Sequence, residues 1–416
     1  MKRWSLLALL CLLIVLPVSA QETADSIPDS LNEQMDDLVI ATENLRGLDT
    51  LTPVERAFPT REETIAYLEK LYDEEFPPEA WAQLEAFYIA LNLLPADVNL
   101  RSVYLDLLGS QIAGFYDTDT QIMNVLPVSG DDPGATLSFL EQIIFAHEYV
   151  HALQDQHFDL DSLMSTEEAL TNPDRQLAIT ALVEGDATAI MNVFAQEVAM
   201  SNPLMAFSLL AEGALTGSLF VPQDIPASLL EELMFPYNGG NNFVVALYEA
   251  GGWDLINTAY TNLPQSTEQI LHPEKYLDGE LPLAVTLPDF TPDESWTQMW
   301  NAPLGEFYVR LHLNALDVES SDRDTAATGW GGDQFAVYEN AAGELAWVIA
   351  LEWDSPADMD EFTNVYTAAR DAYFGASASD GCWSNNAEAV CLFTVDGQTR
   401  ITGAPSLDTA RALAGL

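Results

Sequence analysis

The stretch that most constrains this chain is residues 134–157, GATLSFLEQIIFAHEYVHALQDQH, with the pentad His147-Glu148-Tyr149-Val150-His151 inside it. Leu137, Leu140, Ile143, Ile144 and Val150 recur at helical spacing, and the two histidines fall in the middle of that apolar stripe. Histidines four apart on a helix stand one turn above each other, so both imidazoles reach a single metal ion. Glu148 then points into the same space, where it can take a proton from a water that the metal polarises. The plain alternative is a pair of core histidines that merely satisfy their hydrogen bonds. With five histidines in 416 residues, however, a chance His-Glu-x-x-His is about a one-in-a-few-hundred event. The spacing predicts a metal site.

Residues 1–20, MKRWSLLALLCLLIVLPVSA, stand apart from the fold. Lys2 and Arg3 form a basic start, Leu6 to Leu16 an apolar core, and Val18-Ser19-Ala20 a small-residue cleavage site before Gln21. The apolar run is short for a membrane span, and Cys11 follows Leu10, where a lipid-anchoring box wants a small residue. A cleaved export signal is expected, with an uncleaved N-terminal anchor as the alternative, and the mature chain is expected to be secreted. No later apolar run approaches membrane length without interruption, residues 203–221 coming nearest, so no stable membrane insertion is expected after signal removal. Outside the signal only Cys382 and Cys391 remain, and in an oxidising compartment they predict a disulfide across a hairpin.

The net charge of −51, with lysine only at positions 2, 70 and 275, repels nucleic acid and anionic membranes and disfavours both as partners. A hydrophobic content of 48% excludes a largely disordered chain.

The pattern divides the rest into three parts. Residues 21–58 are acidic and broken by prolines, which suggests a mobile leader with a short helix at Ser30–Leu45. Residues 59–318 are mainly helical. Thr60 and Glu63 form a capping box, and Gly114–Val125 reads as a short hairpin. A long helix from Asp174 to Met200 follows the motif helix, then further helices at Leu204–Leu215, Pro226–Leu233, Asn242–Asn262 and Leu304–Leu316. After a polar linker, residues 325–416 carry a ββαββα order, an antiparallel sheet covered by helices. The fold class expected is α+β.

A catalytic zinc site commonly has three protein ligands, and two residues compete for third place. His157 lies ten residues after His147, the metzincin spacing, but the glycine that pattern needs for a sharp turn is replaced by Gln154. If the helix continues, His157 points about a hundred degrees away from the other two. Glu184, in LVEGDATA, shares a helix face with Leu177, Thr180, Ala181, Ala187, Thr188 and Met191. Burying a carboxylate on so apolar and small a face is costly unless a cation compensates it. Ala181, Gly185 and Ala187 would let this helix approach the motif helix closely.

His-Glu-x-x-His with a glutamate on a following helix resembles the gluzincin-type zinc metallopeptidases. More narrowly, GFYDTDTQIMNV, HEYVHALQDQHFDL, LVEGDATA, STEQILHPEKY and GWGGDQFAVY resemble a set of exported, largely uncharacterised bacterial proteins. The resemblance implies a zincin-like metallopeptidase domain over residues 59–318. In it, His147, His151 and Glu184 would bind one zinc ion, Glu148 would be the general base, and Phe115–Val125 would be an edge strand lining the cleft of a peptide or protein substrate. The separation of His151 from Glu184 by 32 residues exceeds that of the best-known members. For the developing oxyanion the chain offers His272, Tyr116, Tyr149 and Tyr276, with His272 first and a structural role, capping the helix that Pro273 breaks, as its alternative. Asp155, four residues after His151, and Asp186 are candidate partners of the histidines. A non-catalytic, zinc-stabilised extracellular binding protein is the competing reading. Glu148 speaks against it, since a structural site needs no base there.

Overall fold

The computed structural model describes residues 27–111, 114–127, 134–202, 225–287 and 295–416. The export signal and the helix expected at Leu204–Leu215 lie outside them. The fold is mixed α+β, mainly helical, with a sheet-rich C-terminal part.

Residues 27–57 belong to the packed body, which corrects the expectation of a mobile leader. Helix α1 (Asp29–Arg46) buries Leu31, Met35 and Leu38 in a cluster with Ile143, Phe145, Tyr149 and Leu153 of the motif helix. Each such side chain contributes about 1.5–3 kcal/mol on burial, which holds the segment down despite its acidic outer face. The loop after α1 is clamped to the motif helix as well. Thr50 bonds the Tyr149 hydroxyl at 2.6 Å, and the backbone N–H groups of Leu51 and Thr52 donate to Gln156. Strand β1 (Glu55–Ala57) then pairs in parallel with β3 (Ile122–Val125), whose other side pairs antiparallel with β2 (Gly114–Asp117). The expected hairpin is present, and its first strand, rather than its second, is the outer one of the β1-β3-β2 sheet.

Helices α2 (Arg61–Glu75), opened by the expected Thr60–Glu63 box, α3 (Pro78–Ala90) and α4 (Leu100–Gln111) precede this hairpin. The motif helix, α5 (Phe139–Phe158), starts at a capping box in which Ser138 and Glu141 satisfy each other's backbone N–H groups, worth about 1 kcal/mol. It ends on Asp159 in the left-handed conformation. Two short helices, α6 (Leu160–Met164) and α7 (Glu167–Thr171), lead to α8 (Pro173–Ser201), which is buried from Gln176 through Ile190. By length and apolarity α8 could cross a membrane, a property the sequence reading missed, but it is the central core helix, enclosed by its neighbours.

Helix α9 (Ala227–Ala259) replaces the two helices expected there. Pro236 is accommodated within it, and the break comes instead at Gly252, where φ is 66° and ψ −161°. Helices α10 (Thr267–Leu271) and α11 (Pro273–Asp278) complete this part.

Strand β4 (Trp296–Ala302) went unnoticed in the sequence. It opens an antiparallel six-stranded sheet, in the order β4-β5-β6-β9-β8-β7, with β5 (Trp330–Asn340), β6 (Leu345–Trp353), β7 (Cys382–Ser384), β8 (Ala389–Val395) and β9 (Gln398–Ala404). Helices α12 (Gly305–Asn314), α13 (Ser320–Ala327), α14 (Pro356–Phe374) and α15 (Leu407–Leu413) accompany it. One hydrophobic core runs from Phe76 to Ile401 across the expected linker. Phe87 of α3 packs on Trp300 and Phe335 of the sheet, with ring centroids 4.7 and 5.8 Å away. The backbone N–H groups of Leu304 and Gly305 donate to the buried Asp333 of β5. The disulfide Cys382–Cys391 joins directly opposed residues of β7 and β8, as expected.

Candidate metal centre

The site forms where α5 lies against α8 and β2. His147 and His151, one turn apart on α5, project toward Glu184 of α8, and the structure brings the three together. His147 Nε2 lies 3.2 Å from Glu184 Oε2 and 3.2 Å from His151 Nε2, and the third separation, His151 Nε2 to Glu184 Oε2, is 3.5 Å. Zinc–nitrogen and zinc–oxygen bonds of about 2.0–2.1 Å give a tetrahedral edge of about 3.3 Å. The triangle fits one face of such a tetrahedron. The three ligand atoms converge on one point, with His147 and Glu184 both nearly inaccessible to solvent (7% and 3% exposed), and such a group could hold a cation.

The electrostatics say the same. Burial favours neutral His151, but Glu184 and Glu148 outweigh it and push the imidazole up to about 9. Burial also opposes the charge of Glu184, yet His151 and His147 bring it down to about 2. A proton on His151 thus does for Glu184 what a metal cation would do more completely. Glu148 moves the other way. Burial raises it against the pull of the two histidines, and Glu184 adds to the rise.

Glu148 faces β2. The backbone N–H of Tyr116 donates to its Oε2 at 3.2 Å, and a Cβ on Gly114 would lie 3.7 Å from its Cγ. The strand thus runs in ordinary van der Waals range of the glutamate, and the tighter neighbour of a Cβ at position 114 would be the Asn124 carbonyl, 3.2 Å away. The Tyr116 hydroxyl is directed elsewhere and donates to Asp155 at 3.0 Å.

Gln154, the position where the metzincin pattern wants glycine, orients His151. Its Oε1 lies 2.8 Å from His151 Nδ1. The two aspartates divide differently from the expectation. Asp155 bonds Tyr116 and the Leu160 N–H rather than a histidine, while Asp186 connects to His151 through Gln154, whose Nε2 lies 3.1 Å away. His157 turns outward and meets the Asp49 carbonyl at 2.8 Å, so it is not in the group. His272 caps the break between α10 and α11 with its backbone, and its Nε2 lies 3.1 Å from Glu306. Tyr149 bonds Thr50 and Tyr276 bonds the Asn262 carbonyl, so neither hydroxyl is directed at the ligands.

Tyr237 of α9 was missed. Its ring stacks on His147, with centroids 6.0 Å apart and 29° between planes. Its place follows from a close helix crossing, because the small residues of α8 divide their work. Ala181 and Gly185 receive α9 at Gly240, three residues after Tyr237, whereas Ala187 packs on Val150 of α5.

Residues 297–414 match the model of a family described as a domain of unknown function, DUF8575. The match covers the C-terminal sheet and its helices and stops short of the metal centre. No curated protein and no solved structure matches the chain.

Proposed function

We propose that the chain is an exported, zinc-dependent peptidase of the gluzincin type, with a zincin-like fold in its helical part. His147, His151 and Glu184 would hold one zinc ion. The observation that carries this reading is the ligand triangle with a second carboxylate, that of Glu148, beside it and outside it. Structural zinc sites close all four positions with protein donors, whereas catalytic ones use three.

When bound, zinc supplies Lewis acidity toward a substrate carbonyl and a water. Glu148 accepts the proton of the attacking water and returns it to the leaving amine nitrogen. The Tyr116 N–H donates to Oε2 of Glu148 and so orients the carboxylate. Gln154 keeps the proton of neutral His151 on Nδ1 and directs Nε2 at the metal position. Tyr237, whose ring lies over His147, joins His272 as a proposed donor to the oxyanion. The Cys382–Cys391 disulfide supports an oxidising, extracytoplasmic setting.

Replacing Glu148 with Gln tests the assignment. Zinc should be retained while hydrolysis of casein or mixed peptides falls about 10²–10⁴-fold. Equal activity in the variant removes Glu148 as the base. A zinc-loaded parent inert toward many peptides would instead favour the zinc-stabilised binding protein.

A further inference from the structure

Behind His151 lies a fully buried polar chain that begins in the N-terminal helix. Arg46, the last residue of α1, is 0% exposed, and its Nε is 2.7 Å from Asp186 Oδ1 and 2.9 Å from Oδ2. The same guanidinium donates to Asn257 at 2.8 Å and lies 4.6 Å from the centre of the Trp253 ring. Asp186, also 0% exposed, accepts from the Tyr260 hydroxyl at 2.8 Å and from Gln154 Nε2 at 3.1 Å. Gln154 Nε2 donates in addition to the Val183 carbonyl at 2.9 Å.

This chain fixes a proton. An amide nitrogen only donates and an amide oxygen only accepts. The Asp186 carboxylate and the Val183 carbonyl both require a donor, so they hold the Gln154 NH2 toward α8. The Gln154 oxygen must then face His151 Nδ1, which has to be the protonated nitrogen. Nε2 is left with its lone pair pointing at His147 Nε2 and Glu184, as a metal ligand requires. The Arg46 guanidinium holds the Asp186 carboxylate in place as an acceptor for Gln154, and without it that carboxylate would remain in the core with its buried charge partner removed.

We propose that Arg46 is a positioning residue of the metal centre, setting the tautomer and orientation of His151 through Asp186 and Gln154. The acidic N-terminal segment, which by composition resembles a dispensable leader, then supplies part of the metal site's support and has to remain attached for the site to form. The inference rests on the zinc reading above but not on peptidase activity.

The test is zinc affinity, by competition with a chelator, together with the absorption spectrum of the cobalt(II)-loaded full chain, in Arg46→Met, Gln154→Met and the double variant. Loss of an outer partner of a ligating histidine typically costs about 10–100-fold in metal affinity. Gln154→Met should show that loss, Arg46→Met about 10-fold with a changed cobalt spectrum, and the double variant no more than Gln154→Met alone. Effects that multiply, or unchanged zinc affinity in folded Arg46→Met, overturn the proposal. If Arg46→Met does not fold, Arg46→Met/Asp186→Asn removes both buried charges together. It carries the same expectation, weakened zinc that Gln154→Met does not deepen, and the same contrary results. A parent chain that takes up no zinc contradicts the metal reading itself. Zinc uptake without peptide hydrolysis sinks only the peptidase.

Discussion

Gly185 of α8 and Gly240 of α9 meet backbone to backbone. A Cβ on Gly185 would overlap the Gly240 carbonyl, and a Cβ on Gly240 would overlap the carbonyl of Ala181 and lie 3.1 Å from the Gly185 Cα. This contact places Tyr237 over His147 on the helix that also follows Glu184. Because the obstruction is backbone, it cannot rotate aside, and the two helices must separate. Gly185→Ala is expected to destabilise the chain by about 3 kcal/mol or more, against a gain of about 1 kcal/mol in helix propensity. Urea unfolding of the two proteins measures the difference, and an unchanged midpoint would mean that the crossing is looser than described.

Tyr237→Phe keeps the ring on His147 and removes only the hydroxyl. If Tyr237 donates to the oxyanion, kcat for peptide hydrolysis should fall about 10²–10³-fold with zinc content unchanged. A kcat equal to that of the parent returns Tyr237 to a packing role.

His312 gives a pH signature that does not involve the metal. It is buried, and its Nδ1 donates to the Leu91 carbonyl at 2.9 Å, while Nε2 is 3.5 Å from Arg370 and from the Tyr366 hydroxyl. Burial, reinforced by the Arg370 charge, depresses the imidazole to about 3. The unfolded chain takes up this proton near pH 6.5 and the folded chain only near 3, so the stabilisation is complete above 6.5 and disappears as pH falls through that window. Between pH 7 and 4.5 the parent should lose on the order of 2–3 kcal/mol more than His312→Gln. Denaturant titrations at the two pH values give the comparison, and parallel losses would assign the acid sensitivity to other groups.

The disulfide is expected to stabilise the sheet without serving the metal centre. Closing a loop of this length contributes about 2–3 kcal/mol. The Cys382→Ala/Cys391→Ala protein should lose that much stability and keep its zinc stoichiometry, and loss of zinc would link the two regions more tightly than their separation in the fold implies.

What the sequence made legible was periodic or chemically costly. The pentad sat on an apolar helical stripe, and Glu184 stood out as a carboxylate on a face of alanine, threonine and leucine, where only a cation or strong hydrogen bonds justify burial. The hidden parts depended on contacts between distant segments. Helix α1 looked like a leader because its composition is acidic, although Leu31, Met35, Leu38 and Thr42 already recur at helical spacing. Strand β4 has a mostly half-exposed, irregular pattern that shows no clear alternation. Gln154 read as a missing glycine because its partner, Asp186, lies 32 residues away on another helix. Tyr237 carries no periodic signal of its own, and only the neighbouring Gly239-Gly240 pair hinted at a close approach.

The central claim is the ligand set, and zinc stoichiometry in the parent, Glu184→Ala and His157→Ala addresses it most directly. The account predicts one zinc per chain in the parent and in His157→Ala, and zinc lost or bound at least about 10-fold more weakly in Glu184→Ala. A parent without zinc, or a chain that keeps its zinc in Glu184→Ala and loses it in His157→Ala, would contradict it.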